Sequence, residues 1–311
     1  MSGTTILEPG QIEAAANIPP FILLPPADLF ARRAERLRQL AEGHPLGDYL
    51  RLIARLCDAQ QRLLDTPPRL PSPDPDALAR SLEHGMPPLA YDGPVREDAW
   101  LGLLDQLLDE LEPGASPAVA DALARLRQAD PGQRKAWAIA LLSGQFDLLP
   151  AALVPFLGAA LQVAFSHLLL ALPQGLLVES ESQTLCPACG SPPVAGVIHH
   201  RGKHNGLRYL ACSLCSCQWH YVRVKCSYCQ ESKQLAYLSL ERDDRAAEQA
   251  PLRAEACPNC QGYLKQFYRE HAPEAEAQAD DLASLALDLL LAEEGYLRRA
   301  PNLLLAPGGE D

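Results

Sequence analysis

Eight of the ten cysteines form four C-x-x-C pairs, Cys186–Cys189, Cys212–Cys215, Cys226–Cys229 and Cys257–Cys260. A C-x-x-C turn presents two sulfurs on one side of a tight knuckle. A second knuckle, delivered by a hairpin, completes a tetrahedral thiolate cage. Twenty-two residues separate the first pair from the second and 27 the third from the fourth, lengths that suit ribbons of two or three short strands. The spacing therefore predicts two consecutive metal sites, Cys186, Cys189, Cys212, Cys215 and then Cys226, Cys229, Cys257, Cys260. Four thiolates suit zinc, and they equally suit a mononuclear iron of the rubredoxin kind. A thioredoxin-like redox motif needs one such pair in a βαβ setting, not four among strands and turns. Cys217 reads as a bystander, and Cys57 as a core residue on an apolar helix face.

Structural disulfides are the remaining use for paired cysteines, and they need an oxidising compartment. The opening MSGTTILEPGQIEAAANIPP has no positive region followed by an apolar one, so no secretory signal is expected and the address reads as cytoplasmic. From Leu148 to Val178 no residue carries a formal charge. That run is long enough to cross a bilayer. Pro150, Pro155, Gln162, Ser166, His167 and Pro173 interrupt it, so it is expected to be a buried core helix from about Val154 to Leu172, with no stable membrane insertion.

The elements that must position the cysteines divide in two. Residues 1–180 read as helical throughout. A helix capped by Asp28 is expected first, then one over Leu46–Leu64, a Pro-rich connection, and further helical patterns at about 75–84, 95–111, 117–128 and 131–143. No strand-like alternation shows in this half. After Gln174 the texture changes to Pro, Gly, Cys and short β-branched or aromatic runs. VAGVIHH and LRYLA flank a turn-rich segment and predict a hairpin; WHYVRVK (219–225) and LAYLSL (235–240) are further strand candidates. From Asp280 a helical pattern returns and ends near Tyr296. The fold class is α+β: an all-α domain over 1–180, two tandem rubredoxin-like or zinc-ribbon metal modules over 181–225 and 226–272, and a C-terminal helix and tail over 273–311.

Charge excludes some functions. The net charge of −12 argues against generic nucleic-acid binding. Between Ser182 and Gln230, however, no Asp or Glu occurs, while Arg201, Lys203, Arg208, Arg223 and Lys225 stand with His199, His200, His204 and His220. This basic hairpin is either a solvated surface or a docking face for an acidic or polar partner. His199, His200 and His204 are expected to be exposed loop residues rather than ligands, since the thiols already fill four positions per site. No Gly-rich phosphate loop, nucleophile elbow or metal-hydrolase motif stands out, so no catalytic or cofactor-binding residue is assigned and the chain does not read as an enzyme.

GLRYLACSLC, WHYVRVKCSYC, YLKQFYRE and DDLASLALDLLLAEEGY closely resemble the formate dehydrogenase accessory protein family, FdhE. The opening PPADLFARRAERLRQLAEGHPLGDYLRLIARLCDAQQ is similar to that family's first helices, so the likeness spans nearly the whole chain. The resemblance implies a cytoplasmic accessory protein needed for active respiratory formate dehydrogenase. The implied partner is that enzyme's catalytic subunit, which carries the molybdenum cofactor and an iron–sulfur cluster. All eight paired cysteines match the family's pattern. The family's similarity to rubredoxins favours two iron ions, with zinc left open. The rival readings are a zinc-ribbon nucleic-acid binder and a rubredoxin-like electron carrier. The sequence is silent on oligomeric state and on what is done to the partner.

Overall fold

The structure, a computed structural model, describes residues 20–305 apart from 67–69, 72–73, 174, 178–182, 201–205, 241–245 and 247–248. Its first half is helical: α1 (Leu29–Ala41), α2 (Gly47–Asp65), α3 (Pro75–Glu83), α4 (Asp92–Arg96), α5 (Ala99–Leu111), α6 (Pro117–Gln128), α7 (Pro131–Leu142) and α8 (Val154–Leu170). Three of these helices begin alike. Asp74, Ser116 and Asp130 each cap a backbone N–H from the position before a proline at the helix start, where proline's missing donor costs nothing. Asp28 does not cap α1 as expected; its carboxylate accepts from Arg32 at 2.7 Å. The helix expected over 95–111 is two, α4 and α5, because the chain turns at Glu97–Asp98.

The apolar α8 is the axis of this half. Fifteen of its residues are buried, against α2, α5 and α7 among others. Ala151–Leu170 is the one stretch among the described residues long and apolar enough to cross a membrane, yet 89% of its most apolar 18 residues are buried inside the fold. Such a helix satisfies its own backbone and surrounds itself with apolar side chains, which is what a large core needs. Cys57 is part of that core, and burial pushes its thiol up to about 12.

The second half is built on one sheet, which also takes a short strand from the first: residues 1–180 are not helical throughout as expected, because Ile22–Leu23 pairs with the edge at Gln218 and Trp219. The strands are β1 (Ile22–Leu23), β2 (Pro193–Ile198), β3 (Arg208–Cys212), β4 (Gln218–His220), β5 (Ala236–Leu238), β6 (Leu252–Cys257), β7 (Gly262–Tyr268) and β8 (Leu297–Arg298). They run in the order β1-β4-β3-β2-β7-β6-β5, with β8 also beside β7. Antiparallel β2–β3–β4 and β5–β6–β7 are the two ribbons expected from the cysteine spacing. A parallel β2–β7 pairing, Gly196 opposite Gln266 through Ile198 opposite Tyr268, fuses them edge to edge. Each ribbon thereby covers an edge that would otherwise be exposed to unwanted pairing.

Three further differences from the sequence reading have local causes. The strand expected over 219–225 stops at His220, because the carbonyls of Val222 and Lys225 turn to accept from Arg208. β7 is buried along its whole length despite Lys265 and Gln266, whose polarity disguises it. The single C-terminal helix is instead α9 (Ala277–Leu282) and α10 (Leu285–Glu293). Between them the Lys265 ammonium takes the carbonyls of Asp281 and Ser284, and the Ser284 hydroxyl takes those of Asp280 and Asp281.

Candidate metal centres

Each C-x-x-C pair forms the same tight turn. The backbone N–H of the first cysteine meets the carbonyl five residues on in three of them: Cys186 to Ser191 (2.9 Å), Cys212 to Cys217 (2.9 Å) and Cys226 to Glu231 (2.8 Å). In the fourth, Cys257 lies opposite Gly262 in the ladder. The residue after the second cysteine has positive φ in every case: Gly190 (77°), Ser216 (58°), Gln230 (65°) and Gln261 (54°). Only the first of these is glycine, so the other three accept a conformation that a side chain disfavours. Four repeats of that conformation mark the turns as built to aim sulfurs.

The sulfurs gather as two groups of four, each within 4.8 Å of one another: Cys186, Cys189, Cys212, Cys215 and Cys226, Cys229, Cys257, Cys260. Four sulfurs at about 2.3 Å from one centre lie about 3.8 Å apart. The separations are 3.5 Å for Cys186–Cys215 and Cys189–Cys212, and 3.6 Å for Cys189–Cys215. In the second group they are 3.9 Å for Cys226–Cys260 and 3.6 Å for Cys229–Cys257. Backbone N–H groups of Leu214 and Cys215 donate to Cys212 Sγ at 3.3 and 3.4 Å, and that of Tyr228 to Cys226 Sγ at 3.4 Å. Such bonds favour thiolates. None of the eight is in a disulfide. Each group can hold one metal ion.

Electrostatics agrees with that fit. Burial pushes the Cys186, Cys212 and Cys215 thiols well above the ordinary range, and it lifts Cys226 to about 12. Thiols so disfavoured as anions become a thiolate cage when a cation supplies the missing charge. At the rim of the second group burial is outweighed: donation from Asn259 and from the Glu231 backbone brings Cys229 down to about 7.

The two groups differ in their surroundings. All four cysteines of the first are buried, whereas Cys229 and Cys260 of the second are partly exposed. The helical half seals the first from both sides. Leu89 N–H donates to the Ala188 carbonyl at 2.8 Å and Tyr91 N–H to that of Cys189 at 3.2 Å. On the other side Gln162 of α8 donates to the Ser213 carbonyl at 2.9 Å and to Gln278 Oε1 at 2.7 Å. Arg33 joins Ser216, Gln162 and Glu276, and Ser166 reaches the Cys215 carbonyl at 3.4 Å. Sequence reasoning missed this polar hub. Gln162 and Ser166 were visible only as interruptions of an apolar run, and that polarity within a core helix was the available signal.

Cys217 is buried beside the first group and closes its knuckle through its carbonyl. The basic hairpin is less basic than it reads, because Arg208 is buried against Glu255. His199 stacks edge-on to Tyr209, His200 is exposed, and His220 contacts Tyr209 from the other side; none belongs to a cysteine group. Arg201, Lys203 and His204 lie outside the described residues.

Comparison with known proteins meets this geometry. Residues 18–182 match the sequence profile of the FdhE N-terminal domain, 185–223 the FdhE central domain and 224–305 the FdhE C-terminal domain. The chain belongs to the FdhE family. A protein FdhE homolog of Pseudomonas aeruginosa is 71% identical over 98% of this chain and 99% of its own. One from Stutzerimonas stutzeri is 60% identical over the full length of both, and one from Edwardsiella ictaluri 43% identical over 95% and 94%. The crystal structure of the FdhE protein from Pseudomonas aeruginosa superposes with a TM-score of 0.88 at 69% identity, covering 93% of this chain and all of that one. The α+β arrangement of a helical half and a sheet with two four-cysteine groups is thus the FdhE fold.

Proposed function

We propose that this FdhE-family chain is an accessory factor for maturation of respiratory formate dehydrogenase. It acts in the cytoplasm by binding the immature catalytic subunit on a metal-stabilised scaffold, and it is not itself an enzyme. The observation that carries this reading is closure. Each thiol group supplies four protein sulfurs, so an ion held there has no open position for a substrate. The ions shape two ribbons whose segments bury too little apolar surface to fold alone, and the helical half fixes the first ribbon rigidly. Iron, which the family's likeness to rubredoxins favours, would add a one-electron couple; zinc, which four thiolates suit equally, would confine the role to structure.

Anaerobic co-purification with the catalytic subunit, with metal measured on both proteins, tests the reading. Retention of the subunit by the intact chain and its loss on Cys226→Ser with Cys229→Ser are expected. Unchanged retention by that variant would contradict it. A colourless protein with stoichiometric zinc would remove the redox part alone.

A further inference from the structure

At the seam between the ribbons lies a polar cavity that belongs to neither thiol group. It has a volume of about 310 Å³ and opens where the parallel strands β2 and β7 both end. Its wall brings together His199, His200, Arg223, Arg253 and His271, with Glu270 at the rim. These come from separate stretches of chain, so the convergence is a product of the fold. Among the described residues, two arginines and three histidines line it together with one exposed carboxylate, Glu270. Glu255 lies near enough to feel the Arg223 charge, but both its oxygens accept from Arg208, at 2.8 and 2.7 Å.

Both guanidinium groups are set in place before any ligand arrives. Arg253 lies 4.0 Å over the Tyr268 ring, and Arg223 donates to the Gly206 carbonyl at 3.3 Å. Planar guanidinium forks match oxyanions in geometry as well as charge, and imidazoles add further donors. Donors fixed beforehand give up little freedom on binding. The volume exceeds that of a bare phosphate and sits at the low end for small-molecule sites. We propose that this cavity binds a small molecule through an oxyanion group, phosphate or carboxylate, held between Arg223 and Arg253 with the three histidines around it.

The test uses the full-length, metal-loaded chain and two probes, inorganic phosphate and acetate, each titrated against chloride at matched ionic strength. The imidazole resonances of His199, His200 and His271 are followed by NMR. Saturable shifts with at least one probe are expected, and the probe that produces them names the source as phosphate or carboxylate. Arg223→Gln, an exposed substitution, and His271→Gln are each expected to weaken that binding tenfold or more while the metal content stays unchanged. Absence of saturable shifts with both probes in the unmodified protein would overturn the proposal. So would equal affinity in correctly metallated Arg223→Gln.

Discussion

Nη1 of Arg208 donates to both carboxylate oxygens of Glu255, at 2.8 and 2.7 Å, joining the first ribbon to the second in a place almost closed to water. Nη2 of the same guanidinium holds the carbonyls of Val222 and Lys225 in the segment that links the ribbons. The Tyr237 hydroxyl completes the carboxylate's partners at 3.1 Å. One ion pair therefore fixes two strands and their connection.

Removing one partner of a buried pair leaves the other charge uncompensated, at a cost of about 3–5 kcal/mol. Arg208→Met is expected to destabilise by that order in urea unfolding. The loss has a pH signature. Burial raises the Glu255 pKa and Arg208 opposes that rise, so without Arg208 the folded state holds its proton to higher pH than the unfolded chain does. Folding then binds a proton, and stability falls as pH rises through that interval. The variant's melting temperature should sit further below that of the parent at pH 8 than at pH 6. An equal deficit at both would contradict this account of the pair.

The hub around Gln162 predicts coupling between the helical half and the first thiol group. Gln162→Leu strips partners from Arg33, Gln60, Gln278 and the Ser213 carbonyl. Each buried group left unsatisfied costs about 1–3 kcal/mol. Faster metal loss from the first group, with the second unchanged, is the expected result of stopped-flow chelation. Equal acceleration at both groups would mean that the hub acts on global stability alone.

Close approach of the C-terminal segment to α8 gives a paired test. A Cβ at Gly158 would stand 2.0 Å from the Leu303 carbonyl oxygen, whereas at Gly102 of α5 nothing lies within 4 Å. Gly158→Ala must push the 302–304 segment off its helix and should cost about 1–3 kcal/mol or more. Gly102→Ala should stabilise by about 0.5–1 kcal/mol through helix propensity. Thermal melts of the two variants moving in the same direction would refute the close contact.

Unequal burial orders the loss of metal. Cys229 and Cys260 meet solvent, while the first group is sealed beneath the 87–91 segment and the knuckle that Gln162 holds. A chelator should remove one equivalent quickly and the second much more slowly. Cys229→Ser should abolish the fast phase and keep the slow one. A single phase for both ions would show that the difference in burial has no kinetic consequence.

Much of this was legible in the residues. The four pairs announced themselves because a knuckle is a local device, complete within six residues. The helices of the first half showed in their apolar period and in the Pro or Gly at their bounds, but the one cap expected, Asp28, does not cap, while Asp74, Ser116 and Asp130, which do, went unassigned. What stayed hidden was set by contacts distant in sequence. β7 carries Lys265, which is buried only because Asp281, Ser284 and Asp288 surround its ammonium. Arg208 looked like a surface charge because Glu255, its partner, lies 47 residues away. The fusion of the ribbons through β2 and β7 leaves no periodic mark, since parallel pairing joins strands that are far apart in the chain.

Metal stoichiometry with X-ray absorption, on protein purified without oxygen, tests the central claim most directly. Two ions per chain are predicted, each with four sulfur neighbours at about 2.3 Å. Fewer than two ions, nitrogen or oxygen among the ligands, or cysteines joined as disulfides would contradict it.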